Sequence, residues 1–99
     1  MQIIFTELAV RDIADLRAYL EPMSLSGLRH VMLRLETVIS MLPANPHIGR
    51  PTPRDGVREL VEPKYGFLIP YTVHGGKLYI LRLYRSKRQP LDYGGLTMP

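Results

Sequence analysis

The N-terminal half of the chain carries apolar residues at the three- and four-residue spacings of two amphipathic helices. The first stripe consists of Ala9, Ile13, Leu16 and Leu20, and the second of Leu28, Val31, Leu35, Val38 and Leu42. Thr6 is placed to cap the first helix, and Ser24 or Ser26 to cap the second. Pro22 and Pro43 end the helices, because proline has no backbone N–H. Since the link between them is short, we predict an antiparallel hairpin whose stripes face the core.

In the C-terminal half, apolar and polar residues alternate, which is the pattern of β-strands. A short strand is also expected at residues 2–5, before the first helix. Strands are predicted at 57–62, 67–73 and 77–85, and Gly75-Gly76 is a hairpin turn signal. The predicted fold class is therefore α+β, with a short N-terminal strand and a two-helix hairpin packed on a twisted antiparallel sheet of three to four strands. Pro70 conflicts with a central strand position, so we expect a bulge or an outward-facing ladder position there.

Residues 43–56 contain four prolines and two glycines without a periodic apolar pattern, which predicts a long loop. Neither half has enough apolar residues to fold alone, so residues 1–90 are predicted to be a single domain. Residues 91–99, with Gly94-Gly95, are predicted to be a flexible C-terminal tail.

Charge is distributed unevenly between the two halves. The sequence up to residue 49 has a net charge of −1, whereas the sequence from residue 50 carries +5. This asymmetry favours an anionic partner, either nucleic acid or an acidic protein segment; the alternative is a solvated face of a basic protein. The chain has no cysteine, early acidic residues that argue against a signal peptide, and no membrane-length apolar run. A cytoplasmic location without a membrane partner is therefore expected.

Arginines and tyrosines dominate the candidate chemistry of the basic half. The basic residues are Arg50, Arg54, Arg58, Arg82, Arg85, Lys87 and Arg88. Their guanidinium groups can grip phosphates or clamp acidic side chains. Tyr84 and Tyr93 are free to stack on a base, whereas Phe67, Tyr71 and Tyr79 are expected in the core.

The histidines suggest no site, because His30, His47 and His74 are far apart and are expected at the surface. Glu59 could act as a base, but a cross-strand ion pair is the favoured interpretation. No phosphate loop, catalytic triad or zinc motif is present, so neither a cofactor nor a metal is predicted.

Several short motifs follow one another in an order that resembles the RelE/ParE superfamily of bacterial toxins. They are Phe5-Thr6, Ala9, Asp12-Ile13, Pro46 with Gly49-Arg50, Val57-Arg58-Glu59-Leu60, Ile69-Pro70-Tyr71, Val73, Ile80-Leu81-Arg82 and Arg88-Gln89-Pro90. The resemblance covers residues 2–90 and implies the toxin half of a type II toxin–antitoxin pair.

This resemblance implies a cognate antitoxin as the partner, in a hetero-oligomer that reaches operator DNA only through the antitoxin. Arg58, Arg82, Tyr84 and Arg85 are the expected antitoxin-binding residues. The positive net charge of the C-terminal half would attract an acidic antitoxin segment.

Members of this superfamily differ in the cellular target that they inhibit. RelE-like members cleave mRNA on the ribosome, and this chain could supply a partial catalytic set of Arg58, Arg85, Arg88 and Tyr93. It lacks the strand arginine of those nucleases, since Phe67-Leu68 occupies that position. The ParE-like interpretation, in which the toxin poisons DNA gyrase, is therefore favoured, with Arg11 and Arg17 on the helical hairpin as the target-binding residues. A third possibility is an inactive homologue that binds its antitoxin for autoregulation.

Overall fold

The computed structural model of this protein describes residues 1–85 and 90–99. Its helices are α1, Glu7–Leu20, and α2, Leu25–Ser40. Its strands are β1 (Gln2–Phe5), β2 (Arg50–Pro51), β3 (Arg58–Glu62), β4 (Phe67–His74), β5 (Lys77–Ile80) and β6 (Tyr84–Arg85). The sheet has the order β1-β5-β4-β3-β2, and β6 also pairs with β4. The predicted α+β architecture is confirmed.

The predicted helix caps form. Thr6 Oγ1 accepts a hydrogen bond from Ala9 N at 3.3 Å and donates to the carbonyl of Leu81 at 3.0 Å. Ser24 Oγ accepts from Gly27 N at 3.0 Å, so Ser24 is the cap of α2. The Thr6 contact also ties the start of α1 to the sheet. No helix of residues 1–85 or 90–99 is long and apolar enough to cross a membrane.

The sheet is mixed, which differs from the antiparallel sheet expected from the sequence. Strand β1 runs parallel to β5, and Thr6 N extends this pairing by donating to the carbonyl of Ile80 at 3.1 Å. Parallel neighbours need a long connection, and the chain between β1 and β5 includes the helical hairpin and strands β2 to β4. Alternation of apolar residues reports which side of a strand is buried but not its direction, so the pattern could not reveal this arrangement.

Pro70 lies in the central strand β4, where the pairing with the chain beyond β5 shifts by one residue. Tyr71 lies opposite Ile80, whereas Leu68 lies opposite Tyr84. The β5–β6 side therefore contains one residue more than β4 over this stretch, which defines a β-bulge. The predicted bulge is confirmed, and it lies where proline cannot donate to the ladder.

Both faces of the sheet are covered. The helix-facing core includes Ala9, Leu16, Val31, Leu35, Ile39, Leu42, Phe67, Ile69, Tyr71, Leu78, Ile80 and Leu83. A smaller cluster of Val57, Leu81 and Leu96 lies on the outer face, where Leu96 is only 6% exposed. Residues 91–99 thus lie against the sheet in this structure, and the flexibility predicted for them stays a prediction.

A hydrogen-bonded latch holds the proline-rich loop against β4. The hydroxyl of Tyr71 accepts from Gly49 N at 2.9 Å and donates to the carbonyl of Pro46 at 2.8 Å. Arg58 Nη1 donates to the carbonyl of Gly49 at 2.8 Å. Burial raises the pKa of the Tyr71 phenol, so the hydroxyl keeps its proton and remains a donor.

The ion pair predicted for Glu59 is present. Arg50 Nε in β2 donates to Glu59 Oε1 in β3 at 2.8 Å, and the two residues are register partners. Glu59 is buried, so its carboxylate is engaged in holding the loop strand rather than free to act as a base.

Candidate functional site

A cleft of about 450 Å³ lies between α1 and the end of the sheet at which β4 begins. We call it the α1 cleft. Its polar lining residues are Asp12, Asp15 and Tyr19 from α1, Tyr65 before β4, and Arg82, Tyr84 and Arg85 after the bulge. Three of the four residues predicted to bind the antitoxin, Arg82, Tyr84 and Arg85, therefore share one cleft.

The charge of Arg82 is already neutralised by α1. Arg82 Nε and Nη2 donate to the Asp12 carboxylate at 2.7 Å and 3.0 Å, and Leu83 N donates to the same carboxylate at 2.9 Å. Hydrogen bonding to Asp12 raises the pKa of the Arg82 guanidinium, so this group stays charged. Arg82 lies in the bulged stretch between Ile80 and Tyr84, and its ion pair with Asp12 holds this stretch against α1 as one wall of the cleft.

Arg85 carries a charge that α1 does not neutralise. Its Nη2 donates to the carbonyl of Tyr65 at 3.2 Å, and its guanidinium lies 5.1 Å from the centroid of the Phe67 ring. Across residues 1–85 and 90–99, no carboxylate lies within 4.0 Å of it. These contacts orient the side chain and leave its charge available to an acidic partner.

Tyr84 carries a second unused group at the same wall of the cleft. Its hydroxyl is buried and lacks a hydrogen-bond partner within the described parts of the chain. A buried hydroxyl without a hydrogen-bond partner is costly, and a partner for it would lower that cost.

Arg58, the fourth residue predicted to bind the antitoxin, lies outside the α1 cleft. In the sheet it is opposite Tyr71 of β4, whereas Arg85 is opposite Phe67. The two arginines are therefore about 13 Å apart along β4, on the strands at its two sides. Tyr93 packs on the outer face of the sheet, against the cluster of Val57, Leu81 and Leu96. Arg88 lies outside the residues that the structure describes. The structure therefore does not bring together Arg58, Arg85 and Tyr93, the described members of the nuclease-like set.

The two residues predicted to bind the target lie on α1. Arg11 is exposed and pairs with Glu7, one helical turn away, at 3.1 Å. Arg17 borders a second groove of about 360 Å³ formed by β1, α1 and α2. The apolar lining of this groove is Ile3, Phe5, Ile13, Met32, Leu35, Ile39 and Leu83.

Sequence reasoning missed this apolar groove and also the role of Asp12. The signal for the groove was the width of the α2 stripe, because Met32 and Ile39 extend it toward β1. In the sequence, Asp12 stands out only as part of the Asp12-Ile13 motif, and its position gives no sign of an ion-pair partner 70 residues later.

The histidines are exposed, as predicted. Within residues 1–85 and 90–99, no group of three or more histidine, aspartate or glutamate side chains is placed to hold a metal ion. The site chemistry is therefore built from arginine, tyrosine and carboxylate groups.

The fold is similar to that of three solved structures of toxins and toxin–antitoxin complexes. A structure of the chromosomal ParDE toxin–antitoxin system from P. aeruginosa matches with a TM-score of 0.74 and 26% identity, covering 86% of this chain and 95% of that one. The intact E. coli RelBE complex matches with a TM-score of 0.61 and 11% identity over 88% of this chain and 98% of that chain. The isolated E. coli RelE toxin matches with a TM-score of 0.62 and 11% identity over 89% and 86%.

These similarities define the class as a toxin with the RelE/ParE fold. Residues 3–90 match the family model described as the ParE toxin of the type II toxin–antitoxin system parDE. The chain therefore belongs to the ParE toxin family. No curated protein matches it closely enough to add a more specific relative.

Proposed function

We propose that this chain is an active toxin that inhibits growth by poisoning DNA gyrase, and that a cognate antitoxin neutralises it in a cytoplasmic hetero-oligomer. The proposal rests on the match to the ParE toxin family over residues 3–90. The similarity to the P. aeruginosa ParDE structure, at 26% identity, also supports the ParE-like function over the RelE-like one. The two RelE structures share only 11% identity and bear on the fold alone. Operator DNA would be reached only through the antitoxin.

A RelE-like mRNA nuclease is the second candidate, and the geometry of the arginines gives it less support. In-line cleavage of RNA needs its charge-stabilising groups at one reacting phosphate. Arg58 and Arg85 lie on opposite sides of β4, beside Tyr71 and Phe67, and Tyr93 packs in the cluster on the outer face of the sheet. An inactive homologue is the third candidate, and it differs from both in causing no growth arrest.

Induction of the chain without its antitoxin separates these three functions. We expect growth arrest with an early loss of DNA synthesis and induced DNA damage, measured by pulse labelling, and rescue when the antitoxin is co-expressed. Early loss of protein synthesis with mRNA cut on ribosomes would instead assign the RelE-like activity. Unimpaired growth at a confirmed level of folded protein would assign the inactive form.

Arg11 and Arg17 are proposed to contact the target. The double substitution Arg11→Ala and Arg17→Ala is expected to abolish growth arrest while leaving antitoxin affinity within about twofold. The fold should tolerate it, because the exposed Arg11–Glu7 pair contributes only about 0.5 kcal/mol. Growth curves and a binding titration measure the two effects. Arg29→Ala, an exposed position on α2, is the control, and equal loss of both functions in the double variant would contradict the assignment.

Arg58, Arg82, Tyr84 and Arg85 are proposed to bind the antitoxin, and Arg85 gives the cleanest test. Reversing the charge at position 82 would break the ion pair between Arg82 and Asp12, whereas Arg85 has no ion-pair partner within the described residues. We expect Arg85→Glu to weaken the complex about tenfold at low salt, with the difference shrinking as salt screens the charge. Titrations at two salt concentrations, with Arg29→Glu as control, measure this. Unchanged affinity at low salt would remove Arg85 from the interface.

A further inference from the structure

A separate cavity of about 310 Å³ lies at the end of β4 opposite the α1 cleft, between the proline-rich loop and the start of β3. Its polar lining residues are His47, Thr52, Arg54, Asp55, Arg58 and Thr72. It shares no lining residue with the α1 cleft. It does include Arg58, which is also one of the proposed antitoxin-binding residues.

Two guanidinium groups line this cavity, and backbone carbonyls hold each of them in place. Arg54 Nη1 donates to the carbonyls of Tyr93 at 3.0 Å and Gly94 at 2.9 Å, which fixes it against the C-terminal segment. Arg58 Nη1 donates to the carbonyl of Gly49 in the loop. In the described parts of the chain, Nε and Nη2 of both residues make no hydrogen bond to protein. Anchored side chains with spare donors lose little entropy when a ligand binds.

Neither guanidinium forms an ion pair within the described residues. No carboxylate within residues 1–85 and 90–99 lies within 4.0 Å of Arg54 or Arg58. Asp55 lines the same cavity but lies beyond that distance. Both arginines are half-buried, so their charges are screened less than at an open surface. An anion in the cavity would be attracted by both charges.

We propose that this cavity is a phosphate-binding site, with the phosphate group held between the guanidinium groups of Arg54 and Arg58. The exposed imidazole of His47 lies at the rim as a further donor. A phosphate offers enough oxygens to accept from two planar forks at once, whereas a carboxylate has two and suits one fork. The cavity is larger than one phosphate ion, so either free phosphate or the phosphate of a mononucleotide can enter.

Arginine side-chain NMR tests this site in the full chain. Titration of ¹⁵N-labelled protein with inorganic phosphate is expected to shift the Nε–Hε resonances of Arg54 and Arg58 and to saturate in the millimolar range. The resonances of Arg11 and Arg29 should move no more than in a chloride titration of equal ionic strength. No shift at Arg54 and Arg58, or equal shifts at all four arginines, would overturn the proposal.

The ligand is then identified by two further titrations. Adenosine 5′-monophosphate binding more tightly than inorganic phosphate would identify a phosphomonoester as the source, and equal affinity would identify free phosphate; both results support the site. Acetate should bind about tenfold more weakly than phosphate. Acetate binding as tightly as phosphate would overturn the proposal and indicate a site for acidic side chains of a protein partner.

Variants locate the site. Arg54→Gln and Arg58→Gln are each expected to weaken phosphate binding about tenfold. Because both side chains also anchor backbone, His47→Ala serves as a variant that leaves these anchors intact, with an expected loss of about threefold. His30→Ala, an exposed histidine on α2, is its matched control. Unchanged phosphate affinity in the His47→Ala and folded Arg54→Gln variants would overturn the assignment.

Discussion

Replacement of Gly49 by alanine is expected to lower the free energy of unfolding by about 3 kcal/mol. A Cβ atom at this position would lie 2.6 Å from Tyr71 Cε1, 2.7 Å from the Tyr71 hydroxyl and 3.0 Å from the Glu59 carbonyl. The ring of Tyr71 is buried in the core and cannot move aside cheaply. The alanine would therefore separate the loop from β4 and break the hydrogen bonds of the latch. Urea denaturation monitored by circular dichroism measures the change.

Gly94→Ala is the matched control for this prediction. A Cβ atom at Gly94 would lie 3.4 Å from Asp92 Oδ1, an ordinary contact with a flexible side chain. We expect its effect to stay within about 0.5 kcal/mol. Equal small effects of the two substitutions would show that the latch does not hold the loop in place. Tyr71→Phe should produce part of the Gly49→Ala effect, because it leaves Gly49 N and the Pro46 carbonyl without their partner.

Replacement of Asp12 by alanine is expected to destabilise the fold by about 3 kcal/mol. The substitution removes both hydrogen bonds to Arg82 and the one from Leu83 N. The Asp12 and Arg82 side chains are 14% and 27% exposed, so the guanidinium would be left largely desolvated without a partner. The bulged stretch would also lose the ion pair that joins it to the middle of α1. Thermal unfolding measures the loss as a fall in Tm.

Asp15→Ala separates the role of this pair from a general effect of charge on α1. Asp15 lines the same cleft and makes no ion pair within the described residues. Its replacement should change stability by no more than about 0.5 kcal/mol. If Asp12→Ala proved as mild as Asp15→Ala, the Asp12–Arg82 pair would be a surface interaction that adds little to the stability of the fold.

Much of the fold could be predicted because it depends on local chemistry. The helix stripes, the caps at Thr6 and Ser24, and the Gly75-Gly76 turn, with φ values of 58° and 75°, follow from side-chain spacing and backbone preference. The bulge could be anticipated for a similar reason, since Pro70 lacks a ladder donor. The parallel placement of β1 could not, because strand direction depends on the path of the chain over the helices.

The site was less predictable, because it depends on which distant residues meet. Arg82 and Arg85 looked equivalent in sequence, yet a carboxylate on α1 neutralises only Arg82. Arg54 and Arg58 looked like members of one basic cluster with Arg85, but they lie at the other end of β4. Spacing along a strand predicts which face a side chain occupies and cannot predict its partner on another element.

The most direct test of the proposed function is a DNA cleavage assay with purified gyrase and supercoiled plasmid. We predict that the toxin stabilises gyrase-dependent double-strand breaks, that the antitoxin suppresses them, and that the Arg11→Ala, Arg17→Ala variant fails to produce them. A folded toxin that leaves gyrase cleavage and supercoiling unchanged while cutting mRNA on ribosomes would contradict it.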